Sequence, residues 1–375
     1  MYMDLIPVSR PSISDDELES VKKVFDSGWL GLGAQVLEFE MALKKFIGAK
    51  HVVCTNTGTT ALHLALDALG IGIGDEVVVP SFTYVATIQA ITATGAKPVF
   101  CDINIDDLNL DLHDVKRKIG KKTKVILPVH SRGFPCDLDE IHAMAEKHNL
   151  FVVEDAAHAF GSLYKGKKIG SFGHIACFSF DPIKNITCGE GGAVVFQDSS
   201  LLEKIQQKRI LGVDKDTWSR YRNERSWFYD VVTQGYRYHM SNINAAIGLI
   251  QLNKFNAMNR RKIAVAQAYD KAFEGIAGIK LLRNNGYKDI GLFVYILKVK
   301  KGRNELMDHL AHNGVGSGIH YIPSHLFTFY KTDGCHLPVT EQIYKEILTL
   351  PLFPDITDAE VSRIIDAVKS WIPAR

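Results

Sequence analysis

From residue 50 onward, short apolar runs alternate with stretches in which apolar residues recur at helical spacing. The runs are rich in β-branched residues and show almost no polar alternation, which is typical of strands buried on both faces. The clearest runs occupy residues 76–80, 98–102, 124–129 and 151–155. Because helical stretches separate them, the pattern predicts an α/β protein with a largely parallel sheet.

Helical periodicity also precedes this central pattern. Ser14 is a good N-cap for a helix within residues 12–26, and a second helix is predicted over 36–46. The glycine-rich segment 28–33 between them predicts a flexible loop. Two interpretations of this segment are equally supported: Trp29 lies at the edge of a binding site, or the glycines only separate the two helices.

A change of pattern near residue 250 predicts two domains, a large one over residues 1–250 and a small α+β one over 251–375. A charged and aromatic loop is expected around residues 220–225. The elements predicted beyond it are a helix that begins after Ser241 and continues to 272, strands over 291–298 and 316–321, and helices over 304–313 and 358–371.

Composition excludes several classes of function. The chain of 375 residues is 46% hydrophobic and 23% charged, which is ordinary for a globular protein. Its 44 Lys and Arg against 42 Asp and Glu give a charge of +2, so neither nucleic acid nor an anionic membrane is an expected partner. No membrane span and no signal peptide are predicted. Six scattered cysteines predict reduced thiols in the cytoplasm and no metal site.

The segment around Lys184 carries the chemistry on which the interpretation depends. Lys184 lies between an apolar, strand-like run and the glycine turn 189–192, and Ser179 precedes it by five residues. A lysine held partly out of water loses proton affinity, because burial disfavours the ammonium form. Its amine can then act as a nucleophile and form a Schiff base. For this segment alone, a solvated surface lysine is the simpler interpretation.

Other polar groups fall at strand ends, where ligands bind in folds of this kind. Gly58 and Thr59 open a helix, whose free amides suit a phosphate. Asp155 ends a strand, His158 follows it, and Tyr84 offers a ring for stacking. Each residue also has a plain structural interpretation, as a helix start, an N-cap, a core histidine or a core aromatic.

Together these residues supply what pyridoxal phosphate requires, namely an amine, a carboxylate for the pyridine nitrogen, a stacking ring and phosphate donors. Asp155 is expected to keep the ring nitrogen protonated, so that the ring accepts electrons when a substrate carbon loses its proton. Lys184, once displaced by an incoming amine, is expected to act as a general acid and base beside that carbon.

Six ordered motifs give the chain a resemblance to the DegT/DnrJ/EryC1/StrS family of sugar aminotransferases along nearly its whole length. The motifs lie at residues 58–66, 80–87, 154–158, 178–192, 238–248 and 318–321. The resemblance implies fold type I of the pyridoxal phosphate enzymes, with a mostly parallel, seven-stranded sheet in the large domain. It also implies a homodimer with active sites at the subunit interface.

The family implies that an amino group passes from L-glutamate, which becomes 2-oxoglutarate, to a keto sugar carried on a nucleotide. The cofactor alternates between pyridoxal phosphate and pyridoxamine phosphate. By resemblance, Lys184 binds the cofactor and moves protons, Asp155 pairs with the pyridine nitrogen, and Tyr84 stacks on the ring. Related dehydratases carry His in place of the lysine, so Lys184 favours amino transfer.

The family assigns the remaining cofactor contacts to four positions. Gly58, Thr59 and Ser179 hold the phosphate, and His158, where many relatives have Gln, bonds near the cofactor oxygen and is counted as catalytic with Lys184 and Asp155. Trp29, His320 and His325 are the expected substrate contacts.

Three departures from the family pattern lie close to the expected substrate site. Arg237 stands where relatives often carry an Asn that reaches the phosphate across the dimer, and it is expected to bind either that phosphate or the substrate phosphates. Residues 131–133 read Ser-Arg-Gly in place of a common Leu-Tyr-Gly, and residues 292–293 read Leu-Phe in place of Trp-His.

The motifs favour amination at C-4 of a 4-keto-6-deoxy sugar over amination at C-3. A dehydratase or other lyase, and a non-catalytic regulator on the same scaffold, are the alternatives. The expected pathway makes a deoxyamino sugar, for a surface glycan such as lipopolysaccharide O-antigen or for an antibiotic. The sequence leaves the sugar, the nucleotide and the role of Arg237 open.

Overall fold

The computed structural model describes residues 5–214, 229–282, 285–331 and 334–371, so the loop predicted around residues 220–225 lies outside the described residues. The described helices are α1 (Asp15–Asp26), α2 (Ala34–Ile47), α3 (Gly58–Ala68), α4 (Val85–Ala93), α5 (Leu112–Lys118), α6 (Leu138–His148), α7 (Leu202–Arg209), α8 (Asn242–Phe273), α9 (Arg303–His312), α10 (Pro338–Glu346) and α11 (Asp358–Ser370). Short 3-10 helices lie at Ser131–Gly133, Ser199–Leu201 and Ser324–Leu326.

The strands form three sheets. The described strands are β1 (His51–Thr55), β2 (Glu76–Pro80), β3 (Lys97–Cys101), β4 (Thr123–Ile126), β5 (Phe151–Asp155), β6 (Leu163–Tyr164), β7 (Lys167–Lys168), β8 (Ile175–Ser179), β9 (Gly192–Phe196), β10 (Ile279–Leu281), β11 (Tyr295–Val299) and β12 (Ile347–Leu350). The four strands predicted first are confirmed as β2, β3, β4 and β5, with ends that differ by up to three residues.

The main sheet has seven strands in the order β1-β9-β8-β5-β4-β2-β3. Strand β9 runs antiparallel to both β1 and β8, and the other neighbours are parallel. The predicted fold type, with a mostly parallel seven-stranded sheet, is confirmed. Strand order reverses across this sheet, and the loops at the carboxyl ends of β5 and β8 open a crevice where α/β folds bind ligands.

Helices cover both faces of this sheet, as near-continuous apolar strands require. On one face, Phe39 and Leu43 of α2 join a core cluster with Val52 of β1. On the other face, Leu64 of α3 packs in a second cluster with Val53, the next residue of the same strand. Successive residues of a strand point to opposite faces, so each apolar run serves two cores.

A separate core surrounds the antiparallel sheet β10-β11-β12 and includes residues of α8, α9 and α11. Ile6 joins it from the start of the chain, and its N–H donates to the Gly314 carbonyl at 3.0 Å. Residue 250 lies inside α8, one continuous helix that Ser241 caps by accepting from the Asn244 N–H. The division of the chain at residue 250 stays a prediction, and α8 would connect the two units.

The strand predicted over 316–321 is wrong. In this segment Gly318 pairs with Thr349 as an isolated bridge. A Cβ at Gly316 would lie 2.8 Å from the Ile6 carbonyl oxygen, so the segment is shaped by close backbone packing against the start of the chain rather than by a ladder. Among the described residues, no helix has both the length and the apolar character that a membrane span needs.

Candidate active site

The carboxyl ends of β5 and β8 and the start of α3 enclose a cavity of about 380 Å³. Seven of the residues that the sequence predicts for the cofactor line this cavity, and His320 lines it as well. The predicted lining residues are Gly58, Thr59, Tyr84, Asp155, His158, Ser179, Lys184 and His320. Most of the predicted set is therefore brought to one place by the fold.

Lys184 lies in the turn between β8 and β9, with its amine at the cavity wall. The Nζ atom lies 4.3 Å from the centroid of the Phe293 ring. Burial lowers the pKa of Lys184 to about 8, and the negative charges of Asp155 and Asp181 offset part of that effect. At pH values near 8 a large share of the amine is neutral, which is the form that acts as a nucleophile or takes up a proton.

Asp155 ends β5 and is 5% exposed. Its Oδ2 accepts a hydrogen bond from the Thr87 hydroxyl at 2.7 Å, and its Oδ1 accepts from the Ala157 N–H at 3.1 Å. Burial raises the pKa of Asp155, although these two donors and the charge of Lys184 act in the opposite direction. A buried carboxylate that faces a cavity is suited to a cationic group of a ligand.

His158 is buried, and its ring stacks on Phe293 with 4.2 Å between the centroids. Its Nε2 lies 3.0 Å from the Tyr321 hydroxyl. Burial lowers the pKa of His158 well below its ordinary value, so the ring is neutral. Its Nδ1 is buried and has no partner among the described residues, so it is available for a hydrogen bond with a ligand.

The start of α3 forms a cradle with the end of β8. Thr57 caps the helix by accepting from the Thr60 N–H. A Cβ at Gly58 would lie 2.7 Å from the Ser179 Cβ, so this close approach of helix and strand requires glycine. Helix N-termini attract anions, and the hydroxyls of Thr59 and Ser179 add donors at the same cavity.

Tyr84 precedes α4 and is 56% exposed, with its ring 5.5 Å from the Tyr321 ring. An aromatic face that is open to the cavity can stack on a flat ligand ring. The core-aromatic interpretation of Tyr84 is therefore wrong.

Two of the predicted site residues line a different cavity. Trp29 and Arg237 line a second cavity of about 320 Å³ together with His239. The Trp29 indole donates to the Leu32 carbonyl at 2.7 Å. Arg237 does not line the cavity that contains Lys184, in the part of the chain that the structure describes.

His320 and His325 have different surroundings. His320 lines the first cavity, and its Nδ1 lies 3.0 Å from the Thr349 hydroxyl. His325 is buried, with Nδ1 2.6 Å from the Ser81 hydroxyl, and is not among the described residues that line the cavity. The contact with Ser81 thus holds His325 in the interior of the protein.

Sequence reasoning missed three contributors. Thr87 orients Asp155, Tyr321 contacts His158, and Phe293 contacts both His158 and Lys184. Thr87 and Tyr321 lie within the motifs 80–87 and 318–321, so the motifs contained the signal. Phe293 was noted as a departure from the family pattern, but its contact with Lys184 could not be seen in the sequence.

Arg132 is buried beside Phe134, with its guanidinium carbon 4.3 Å from that ring's centroid, and it donates to the Asp107 carbonyl. It is not among the described residues that line the cavity. Burial lowers its pKa to about 10. The expectation that this departure lies at the substrate site is therefore not met, whereas the departure at Phe293 does reach the site.

The described residues fit pyridoxal phosphate. The orphaned Nδ1 of His158, the carboxylate of Asp155, the amine of Lys184 and the cradle at Gly58 each suit a different group of that cofactor. No other common cofactor combines an anionic end, a basic ring nitrogen and an aldehyde in one small molecule.

Comparisons with known proteins agree with this chemistry. Residues 11–369 match the family model of the DegT/DnrJ/EryC1/StrS aminotransferase family. The spore coat polysaccharide biosynthesis protein SpsC of Bacillus subtilis (strain 168) is 38% identical over 377 residues, which cover 98% of this chain and 97% of SpsC.

Two solved structures show the same fold. The putative sugar aminotransferase Spr1654 from Streptococcus pneumoniae in its PMP-form has a TM-score of 0.91 at 33% identity, covering 97% of this chain and 98% of that one, and it has also been solved in its PLP-form. DesV of S. venezuelae, in complex with a ketimine intermediate, has a TM-score of 0.87 at 35% identity, covering 95% and 94%. The chain therefore belongs to the DegT/DnrJ/EryC1/StrS aminotransferase family and is a pyridoxal phosphate-dependent sugar aminotransferase.

Proposed function

We propose that the protein transfers the amino group of L-glutamate to a nucleotide-linked keto sugar, at C-4 of a 4-keto-6-deoxy sugar. The observation that carries the amino-transfer chemistry is the placement of the Lys184 amine, with its pKa lowered to about 8, in one cavity with the buried carboxylate of Asp155. The sugar and the carbon rest on the motif resemblance.

When bound, pyridoxal phosphate supplies an aldehyde that reacts with amines and a ring that accepts an electron pair from a substrate carbon. Asp155 would hold the proton of the ring nitrogen, because Thr87 and the Ala157 N–H keep its buried carboxylate in place at the cavity. The cavity geometry thus gives Asp155 an electrostatic role.

Lys184 would hold the cofactor through its amine, and the same amine, when free, would move a proton to and from the substrate carbon. Its lowered pKa lets the amine accept that proton near neutral pH, and Phe293 limits the positions that the amine can take. A dehydratase or lyase needs the substrate to leave without net amino transfer, and the lysine favours transfer.

His158 would bond a cofactor oxygen through Nδ1, while Tyr321 contacts its ring at Nε2. Tyr84 would stack on the cofactor ring, and the α3 cradle with Thr59 and Ser179 would hold its phosphate. His320 contacts the substrate, since it lines the same cavity.

The active unit is a homodimer in which Arg237 and Trp29 complete the site of the other subunit. An apolar surface on α1 and α2 supports this assembly, because Leu18, Phe25 and Met41 are 59–64% exposed. Arg237 lines a separate cavity, which is consistent with a residue that acts across an interface. Its guanidinium would bind a phosphate of the other subunit's site.

Mixing variants tests the shared site. Arg237→Ala is expected to weaken cofactor binding, and Lys184→Ala is expected to be inactive. If each site combines Lys184 of one subunit with Arg237 of the other, mixed dimers of these variants contain one intact site and regain activity. No gain over the unmixed variants would contradict the shared site.

The substrate class has its own test. Purified enzyme is incubated with L-glutamate and with 3-keto and 4-keto sugar nucleotides, and amino sugar and 2-oxoglutarate are quantified. Equal amounts of both products from a 4-keto sugar are expected. Turnover of the 3-keto sugar alone would overturn the C-4 assignment, and release of water without an amino sugar would support a lyase.

The absorption spectrum isolates the first half of the reaction. L-Glutamate is expected to replace the visible cofactor band with the shorter-wavelength pyridoxamine band. A band that ignores glutamate would show that another amine is the donor. We place the reaction in the cytoplasm, in the synthesis of a surface-glycan sugar, a pathway consistent with the name of SpsC.

A further inference from the structure

A second buried lysine, Lys262, lies behind the segment that carries Lys184. Lys262 belongs to α8 and is 4% exposed. Its amine donates a hydrogen bond to the Asn185 side-chain oxygen at 2.9 Å. No carboxylate among the described residues forms an ion pair with it, and burial lowers its pKa to about 7. A buried amine without an anion is unfavourable for stability, so its presence calls for another reason.

Asn185 follows Lys184 directly and connects three separate segments. Its side-chain NH₂ lies within hydrogen-bond distance of the carbonyls of Gly291 (2.9 Å), Phe160 (3.1 Å) and His158 (3.4 Å). His158 faces the cofactor cavity, and Gly291 lies two residues before Phe293, whose ring contacts the Lys184 amine. One amide therefore ties the Lys184 turn to the main chain of His158 and to the segment that leads to Phe293.

The three segments meet with little free space. A Cβ at Gly291 would lie 2.1 Å from the Phe160 carbonyl oxygen and 3.2 Å from the Asn185 amide nitrogen. This crossing point admits the amide but no larger group, so the orientation of that amide controls how the segments fit together.

An asparagine side chain can turn over and exchange its oxygen and nitrogen. The three carbonyls can only accept, so the NH₂ faces them, and the Lys262 amine, whose N–H groups donate in both its charged and its neutral form, pairs with the Asn185 oxygen on the other side. Without that donor, the amide oxygen would be buried and unpaired, and the turned-over form would set oxygen against carbonyl oxygen.

We propose that Lys262 is a positioning residue that, through Asn185, fixes the main chain of Lys184 relative to His158 and Phe293. This inference rests on the proposed role of Lys184 as the attachment point of the cofactor. The Lys184 amine reaches the site from a single turn of the chain, so a movement of that turn displaces the amine. Small displacements of a reacting group lower reaction rates strongly. Lys262 serves the reaction rather than the stability of the fold.

Lys262→Met tests this, because methionine keeps much of the length of the side chain and removes the donor. The melting temperature of the apoenzyme is expected to change little, because removal of a buried amine offsets the cost of leaving the Asn185 oxygen unpaired. When pyridoxal phosphate is added to the apoenzyme, the visible band of the lysine-bound cofactor is expected to form about 10-fold more slowly. kcat is expected to fall by about the same factor with little change in KM.

Lys271→Met is the matched control, because Lys271 is an exposed lysine on the same helix. It is expected to match the unmodified protein in melting temperature, band formation and kcat. Asn185→Ala is expected to slow band formation at least as much as Lys262→Met. Adding Lys262→Met to Asn185→Ala is expected to slow it no further, because the two residues act through one bond.

Two results would overturn the inference. If the rate of band formation and kcat are the same in Lys262→Met and Lys271→Met, the hydrogen bond between Lys262 and Asn185 does not position Lys184. A lowered melting temperature with an unchanged rate of band formation would show a purely structural role. The variant Lys184→Ala tests the role of Lys184 independently of Lys262. A lysine-bound band in that variant would refute the assignment of Lys184 as the attachment point of the cofactor.

Discussion

Two neighbouring carboxylates at the end of β5 have opposite surroundings. Glu154 is 1% exposed, and its Oε2 lies 3.0 Å from Nε2 of the buried His130. Asp155 accepts from Thr87 and the Ala157 N–H, and it lines the cofactor cavity. One acid is enclosed by the protein, and the other faces a ligand.

The difference follows from the pleat of the strand, which sends successive side chains to opposite sides. What separates the two acids chemically is the space in front of each one. Glu154 meets a protein partner, so its charge is used within the fold, whereas the Asp155 charge is available to a bound group. Position at a strand end therefore indicates a functional acid only when a cavity lies beside it.

The largest effect is expected on the cavity side, from Lys184→Ala. Loss of the amine removes both cofactor attachment and proton transfer, so turnover should fall by at least about 1,000-fold. The melting temperature of the apoenzyme should change little, because the lysine faces a cavity. Initial-rate assays with thermal unfolding check both. Activity close to that of the unmodified enzyme would remove Lys184 from the mechanism.

Asp155→Asn should lower kcat by about 100-fold or more, since the ring nitrogen would lose its anionic partner. The same change should stabilise the apoenzyme at neutral pH. The folded-state pKa of Asp155 is raised, so ionisation at neutral pH opposes folding, and this penalty disappears as pH falls below the ordinary pKa of an aspartate. Unfolding of both proteins at pH 7 and near pH 4 should show a gap that narrows on acidification; a gap that widens would contradict the assigned sign.

Thr87→Val should lower kcat by about 10-fold, because Asp155 would lose a hydrogen bond that favours its charged form. The shape of the side chain is conserved, so the loss reports the hydroxyl. Thr92→Val, on the same helix but bonded to the Ile88 carbonyl, is the matched control and should leave kcat within about twofold. Equal rates for the two variants would mean that Thr87 does not orient the acid.

The smallest effect on catalysis is expected on the enclosed side, from Glu154→Gln. Turnover should stay within about threefold, while the free energy of unfolding falls by about 1–3 kcal/mol as the bond to His130 is weakened. Chemical denaturation and initial rates measure the two quantities. A loss of activity comparable to that of Asp155→Asn would abolish the contrast between the two acids.

Local patterns were sufficient for much of the fold. The apolar runs at 76–80, 98–102, 124–129 and 151–155 reflect burial on both faces, and the caps at Ser14 and Ser241 depend on nearby side chains. The segment 316–321 misled because its apolar and aromatic residues resemble a strand, whereas its course depends on the distant residue Ile6.

The sequence by itself determined the class of sheet and the position of the lysine turn, and it predicted a set of cofactor residues of which most line one cavity, because each follows from short-range patterning or from a contiguous motif. Only the tertiary structure decided that Thr87 holds Asp155, that Phe293 covers the Lys184 amine, and that Lys262 reaches Asn185 from α8. It also placed Arg237 apart from the cavity and His325 in the interior. These contacts join residues far apart in the chain, and their existence depends on how whole elements pack, which no local pattern encodes.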